Sequence, residues 1–301
     1  MVSVCGLEYD FSMIDCTLVT CDVVPGLDPD DRLLLHELRR RGLTASIEIW
    51  NDPRADWSSS RMCILRSTWD YHRRYYDFMA WIDRASGATV MKNDLNLLRW
   101  NAHKSYLLDL ECRGVPIVPT TLIRRGERCS LEDLAAARGW PDVVLKPAMG
   151  SAAHNVTLAR GNGASFALAQ AQLDRLTQSE DVLVQPYLDA VVSYGERALM
   201  FFDGRYSHAV VKKPFDSVFA ISDEPSSRVE ATAPEIDVAT RAVEAVPGRP
   251  LYARIDLLRD AGGNARVSEV ELIEPALYLA VHGPARQIFA DAIERELAIH
   301  G

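Results

Sequence analysis

Four charged residues on two neighbouring segments carry the most specific chemistry in this sequence. Leu251–Leu258 (LYARIDLL) and Arg266–Pro275 (RVSEVELIEP) alternate apolar and charged residues over the length of a strand. Arg254 and Asp256 recur at period two on the first, Glu269 and Glu271 on the second, so each pair projects from one face. Between them Arg259–Ala265 (RDAGGNA) supplies Gly262, Gly263 and Asn264, the residues a hairpin turn uses. Pairing the strands brings three carboxylates and one guanidinium together. Like charges that close repel unless a cation sits among them, which makes this face a candidate divalent-metal site. The plain alternative is a solvated hairpin face. The flanking apolar runs favour a buried pair, and with it the metal.

Elements earlier in the chain must position that hairpin. Cys16–Thr20 reads as a buried strand, and Asp28-Pro29 opens a helix over Asp30–Arg41 that Gly42 ends. Thr44–Trp50 and Met62–Leu65 read as further strands, Tyr71–Ala85 as a helix, Ala88–Met91 as a short strand and Asp94–Cys112 as one or two helices. Strands alternating with helices imply a parallel sheet, with binding loops at the carboxyl ends of its strands. Arg66–His72 (RSTWDYH) falls at such an end. Its guanidinium, hydroxyls, carboxylate and aromatic faces suit a small polar substrate. The alternative is structural: Thr68 or Asp70 as a helix cap and Trp69 in the core.

Val115–Arg125 reads as a crossing between domains, followed by a helix over Ser130–Arg138 with Ser130 as cap. Asp142–Pro147 (DVVLKP) is a strand carrying Lys146, and Ala148–Asn155 (AMGSAAHN) a small-residue loop before a strand at Val156–Ala159. Small side chains let backbone N–H groups approach phosphate oxygens, so this unit could drape over a nucleotide; it is not a Walker loop. Ala164–Leu176 is an amphipathic helix. Asp181–Gln185 is a strand that kinks at Pro186-Tyr187-Leu188, where backbone groups could read an adenine edge. Tyr194–Phe202 and Tyr206–Lys213 are strands around Asp203-Gly204. Pro214–Ser227 suits a lid. Helices at Pro234–Ala245 and Arg286–His300 complete the pattern.

Composition is that of a globular enzyme: 301 residues, 48% hydrophobic, 25% charged, with ample length for two or three domains. A net charge of −9 argues against nucleic acid or an anionic membrane as partner. The six Cys form no CxxC and read as reduced, mostly buried thiols. With no apolar run near 18 residues and no basic leader, the expectation is a soluble cytoplasmic protein.

The order of parts resembles the ATP-grasp superfamily, and most closely its D-alanine–D-alanine ligase and glutathione synthetase branch. The resemblance rests on Lys104, then Lys146 before a small-residue loop, the strand kinking at Gln185–Leu188, Glu196 on the next strand, and Arg254-x-Asp256 followed by Glu269-x-Glu271. At finer grain RSTWDYH, LLRWNAHK and SEVELIEP are similar to the branch that contains the O-ureido-serine cyclo-ligase of D-cycloserine biosynthesis. The resemblance implies an α/β (α+β) ATP-grasp fold. In it a parallel-sheet substrate-side domain (1–114) would precede a central lobe with a flap (115–188) and a C-terminal lobe carrying the metal site (189–301).

The resemblance also implies roles. Lys104 and Lys146 would hold the ATP phosphates, with Gly150 and Ser151 in the flap. Gln185, Tyr187 and Leu188 would frame the adenine, and Glu196 would accept from the ribose. Asp256, Glu269 and Glu271 would bind two Mg²⁺ ions, Arg254 would steady the transferred phosphoryl group, and Lys212 or Lys213 would add positive charge. Arg66, Thr68, Asp70 and Glu274 would line the substrate pocket. Two departures stand out: Glu271 replaces the usual Asn, and the flap ends in His154-Asn155 where relatives carry more glycine.

The implied reaction joins a carboxylate to an amine through an acyl phosphate. Two Mg²⁺ with Lys104, Lys146 and Arg254 would neutralise the tetra-anionic ATP that otherwise repels the carboxylate. The substrate would be small and amino-acid-like, with the joining within one molecule (O-ureido-D-serine closing to D-cycloserine) or between two. Homodimerisation is left open. No Ser-His-Asp or Cys-His set competes, and His154 is the candidate general base. Two other readings stand: a phosphotransferase that stops at the phosphorylated product, and a non-catalytic ATP-binding scaffold, which would have no need of Arg254, Asp256 and Glu269.

Overall fold

The computed structural model describes residues 13–150, 155–161, 163–212 and 227–300. Three sheets follow one another along the chain. The first contains β1 (Ile14–Thr20), β2 (Ala45–Ile49), β3 (Ser60–Ser67) and β4 (Val90–Lys92), all parallel, in the order β2-β1-β3-β4. The crossovers run through α1 (Pro29–Arg40) and α2 (Tyr75–Ser86). Helix α1 starts where the sequence predicts: Asp28 Oδ1 accepts from the Asp30 N–H at 2.8 Å and Pro29 occupies the first turn. Tyr71–Arg74 is a 3-10 turn rather than part of the expected helix, and α2 begins after it.

Helices α3 (Leu95–Asn101) and α4 (Tyr106–Cys112) lead into the middle sheet. It is built from β5 (Thr121–Ile123), β6 (Val143–Pro147), β7 (Thr157–Ala159) and β8 (Val182–Pro186), antiparallel in the order β5-β8-β6-β7, with α5 (Leu131–Arg138) and α6 (Ala164–Leu176) packed on it. After the one-turn α7 (Ala190–Ser193) comes the third sheet. Its strands are β9 (Glu196–Phe202), β10 (Arg205–Lys212), β11 (Ser227–Val229), β12 (Tyr252–Arg259) and β13 (Ala265–Glu271), antiparallel in the order β11-β10-β9-β12-β13. Helices α8 (Ala233–Ala245) and α9 (Ala285–Ile299) complete the fold.

The two turns that shape this sheet follow the sequence. Asp203 and Gly204 both have positive φ (52° and 74°), as a tight turn matching the twist of β9 and β10 requires. In the β12–β13 turn, Asp260 Oδ1 accepts from the Gly262 and Asn264 N–H groups at 2.9 Å each.

The cores differ in ownership. One apolar cluster joins Leu18, Leu34 and Ile64 of the first sheet side to Phe202, Tyr252 and Phe289 of the third. A second is confined to the middle lobe, with Leu131, Val143, Phe166 and Leu173. Polar stitches reinforce the first junction. Asn93 donates to the carbonyls of Tyr252 and Leu272 and accepts from the Leu251 N–H. Arg66, 1% exposed, pairs with Asp31 at 2.8 Å and donates to the Pro275 carbonyl at 2.7 Å.

Among the described residues Cys16, Cys21, Cys63, Cys112 and Cys129 are free; the first three are buried, and burial pushes the Cys16 and Cys63 thiols up to about 12. No described helix is long and apolar enough to cross a membrane.

Candidate active site

The β12–β13 register sets Arg254 opposite Glu271 and Asp256 opposite Glu269. All four side chains therefore share a face, and a bulge after Asp256 re-phases the strand beyond them. One carboxylate oxygen each from Asp256, Glu269 and Glu271 lies within 4.8 Å of the others. At such spacing each like-charge pair costs about 4 kcal/mol near a protein surface, so the face needs positive charge.

The chain supplies it. Arg254 makes a two-pronged pair with Asp256, Nε to Oδ1 at 2.9 Å and Nη2 to Oδ2 at 3.0 Å, and also reaches Glu271. Lys212 Nζ lies 2.6 Å from Asp256 and 2.8 Å from Glu196. Lys104 Nζ lies 2.8 Å from Glu269 and donates to the Gly150 carbonyl at 2.7 Å. Burial alone would raise the fully buried Asp256 carboxyl; Arg254 and Lys212 outweigh it and hold the group down to about 2. Glu269 is held low in the same way, by Lys104 against burial. Glu271 is the opposite case: burial, with Glu269 and Asp256 beside it, pushes it up to about 7 despite Arg254. The added acidity noted in the sequence at this position thus has a physical signature. Lys146 faces the same acids, Glu269 and Glu196, and burial lowers its pKa.

Hard oxygen donors at this separation fit an Mg²⁺ ion that keeps part of its water shell.

Toward the middle lobe, Gln185 is buried within β8 and donates to Thr120 Oγ1 at 2.9 Å, while the Tyr187 N–H bonds to the Asp142 carbonyl and Arg160 lies 4.5 Å over its ring. Leu188 follows at the strand exit before α7. Glu196 sits at the head of β9, tied to Lys212 and to Ser268 Oγ at 2.8 Å, so it stands beside the carboxylate hairpin. Ser151, His154, Lys213 and most of the Pro214–Ser227 loop lie outside the described residues.

The Arg66–His72 segment is mostly occupied internally. Arg66 is consumed by Asp31 and Pro275 as described, and Asp70 accepts from Trp50 Nε1 at 2.9 Å instead of capping a helix. Trp69 stands partly in solvent, not in the core. Thr68 is fully buried with its hydroxyl unpartnered among the described residues. Glu274 is half-buried, and burial with Glu271 nearby pushes its carboxyl well above the usual range.

Positioning residues went unread in the sequence. Asn101 donates to the Val270 carbonyl and accepts from the Leu272 N–H, so it pairs with β13 as a strand would. The Tyr106 hydroxyl accepts from the Val270 N–H, and the Ser268 hydroxyl donates toward the Asp256 carbonyl or Glu196. Asn101 and Tyr106 flank Lys104, which explains why that ammonium lies over Glu269. The signal was the polar pattern of LLRWNAHK itself, whose Asn sits too close to the lysine to be incidental.

Three successive sheets, with Lys104 ahead of the middle sheet, Lys146 on β6 and Lys212 on β10 meeting a carboxylate hairpin, define an ATP-grasp ligase. A family model described as "D-cycloserine synthetase DcsG, N-terminal domain" matches residues 16–93. Over 298 residues the chain is 34% identical to "Cycloserine biosynthesis protein DcsG" of Streptomyces lavendulae, spanning 93% of this chain and 98% of that protein. The crystal structure of D-cycloserine synthetase DcsG superposes with a TM-score of 0.86 at 32% identity, covering 94% of this chain and 99% of the other. The ATP-grasp ligase PsnB, solved with a minimal precursor, Mg and ADP, shares the fold at a TM-score of 0.65 and 16% identity, covering 96% and 99%. The chain belongs to the DcsG family of ATP-grasp ligases.

Proposed function

We propose that this chain is an ATP- and Mg²⁺-dependent carboxylate–amine ligase that closes a small amino-acid-like substrate on itself, forming D-cycloserine from O-ureido-D-serine. The observation that carries the reading is the meeting of Lys104, Lys146, Lys212 and Arg254 with Asp256, Glu269 and Glu271 in a chain of this family. In this reading residues 1–114 serve the substrate, 115–188 the nucleotide base and flap, and 189–301 the phosphoryl end. The enzyme works in the cytoplasm, where ATP is made.

A substrate carboxylate oxygen attacks the γ-phosphorus of ATP and ADP leaves, giving an acyl phosphate. The oxygen-bound nitrogen of the same molecule then attacks the acyl carbon; the C–N bond forms and inorganic phosphate departs, and water removes the carbamoyl group from that nitrogen as CO₂ and NH₃ to leave D-cycloserine. Two Mg²⁺ ions, held by Asp256, Glu269 and Glu271, would supply charge neutralisation at the phosphates. Arg254 holds the carboxylate against the γ-phosphate. Lys104 and Lys146 draw the β- and γ-oxygens down, and Lys212 offsets Glu196 and Asp256 so that the anionic nucleotide can approach. Gln185, Tyr187 and Leu188 border the adenine and Gly150 begins the flap. A general base at His154 would deprotonate the attacking nitrogen.

The test is ADP release with O-ureido-D-serine, followed by mass analysis of the product. Ring closure with ADP and phosphate is the expected result. An amide joining two molecules would mean an intermolecular ligase, a stable phosphorylated product a phosphotransferase, and ATP binding without ADP release a scaffold. Glu269→Gln should lower turnover by at least about a thousandfold, in line with losing a group that acts on the transition state, while unfolding stays cooperative. Retained activity would sink the metal assignment.

A further inference from the structure

Glu274 is a carboxyl without a partner of its own. It lies on the stretch where the chain leaves β13 and crosses to the first sheet, and that stretch is fixed on both sides. The Tyr252 hydroxyl is 2.9 Å from the Ile273 carbonyl, and Arg66 Nη2 is 2.7 Å from the Pro275 carbonyl. Ile273 packs in one cluster with Tyr71, Leu65 and Phe78. The Glu274 backbone is therefore held between an anchored residue on each side. Its carboxyl has no hydrogen bond or ion pair among the described residues.

Two guanidiniums are near enough to act on it, yet both are committed: Arg66 to Asp31, and Arg254 to Asp256 and Glu271. Lys104 also reaches it but is held by Glu269 and the Gly150 carbonyl, and the other charges, Glu271 and Glu269, are of its own sign. Tyr71, 9% exposed, packs in the cluster of the neighbouring Ile273 and feels the charge of Glu274, and its hydroxyl also lacks a partner among the described residues. A carboxyl kept in low dielectric beside another carboxylate holds its proton until a cation from outside favours the charged form. A metal ion does not fit that role, because the oxygens that gather within ion-binding distance belong to Asp256, Glu269 and Glu271 without Glu274.

An α-amino acid brings the missing charge to the right place. Its ammonium sits on the carbon next to its carboxylate, and under the function proposed above, on which this inference rests, that carboxylate lies at Arg254. We propose that Glu274 recognises the α-ammonium of the substrate, with the Tyr71 hydroxyl as a second acceptor. Glu274 thereby confines the enzyme to amino acids among carboxylic acids.

The experiment compares O-ureido-D-serine with 3-(ureidooxy)propanoic acid, the same acid without its α-amine. Wild type should prefer the amino acid by about a hundredfold in kcat/KM, the scale of a charge-assisted hydrogen bond lost at about tenfold per 1.4 kcal/mol. Glu274→Gln should erase most of that preference by raising KM for the amino acid, with KM for ATP changed less than about twofold. Tyr71→Phe should give a smaller loss of the same kind. Should Glu274→Gln fail to fold, Glu274→Asp reads the same preference with the charge withdrawn by one methylene. A wild type indifferent to the α-amine, or a Glu274→Gln protein that keeps the preference, overturns the assignment while leaving the ligase reading intact. Absence of ADP release with every amino acid overturns the ligase reading and this assignment with it.

Discussion

The middle lobe keeps its core to itself, whereas the first and third sheets share theirs. Leu131, Val143, Phe166 and Leu173 pack only with neighbours between Ile123 and Val184. Leu18, Leu34, Phe202, Tyr252 and Phe289 form one cluster although their sequence positions span most of the chain. The middle lobe meets the remainder along one side, where Ala148 and Leu183 join a cluster with Leu107, Leu199 and Ile255. Close to it, the Lys104 N–H bonds to the Ala148 carbonyl at 2.7 Å. A lobe with its own apolar interior can move as a body about a narrow seam, while sheets with a common interior cannot separate without exposing it. Lys104 and Lys146 lie at the seam, and the carboxylate hairpin lies on the shared side.

Substitutions can test that contrast. Phe289→Ala removes a fully buried ring stacked 4.6 Å from Phe202 and edge-on to Tyr252. It should cost about 3–5 kcal/mol and loosen both outer sheets together, read as slower-exchanging amides of β1 and β12 losing protection in step. Protection lost in only one of them would break the comparison. Leu173→Ala in α6 should cost about 2–5 kcal/mol, with amides of β6 and β8 exchanging faster and those of β1 unchanged.

A smaller effect concerns His208, buried on β10 with Nε2 3.1 Å from the Leu277 carbonyl and Nδ1 3.0 Å from Ser207 Oγ. Burial, and His282 nearby, hold its pKa down to about 4 against an ordinary 6.5. Arg228 also disfavours the charged ring. Between those values the unfolded chain binds a proton that the folded chain does not, so stability falls as pH drops from about 6.5 to 4. This residue should contribute about 3 kcal/mol to that loss, at 1.36 kcal/mol per unit. His208→Gln should flatten the profile in urea titrations at graded pH; an unchanged slope would remove His208 as the cause.

Sequence periodicity served the long elements well. Helix α6 and the Asp203-Gly204 turn fall at their expected positions, and the charges of the hairpin share a face because period two admits nothing else. Strands β5 and β11 and helix α7 span only three or four residues, too few for a period to declare itself. The last strand stops at Glu271 and not at Pro275, because from Ile273 onward side chains, those of Tyr252 and Arg66, take the backbone carbonyls that a neighbouring strand would have taken. The same long-range pairing hid the role of Arg66. Its partner Asp31 lies on another element, so the sequence showed a free guanidinium where the fold has a committed one. Apolar alternation is local and legible; which charge meets which is decided by tertiary contact.

Lys104 on Glu269 and Lys212 on Asp256 give the hairpin the character of an ion-exchange resin in its loaded form. The fixed anions come with counter-ions already in place, each on a four-carbon tether. Exchange differs from simple addition in having a stoichiometry: under the function proposed above, a divalent ion would take its place as ammonium tips leave, and the oxygens of a nucleotide are where those tips would go. In that reading metal and nucleotide would be linked ligands, each raising the affinity for the other by the same factor. The carboxylate hairpin keeps its charge balanced before either arrives.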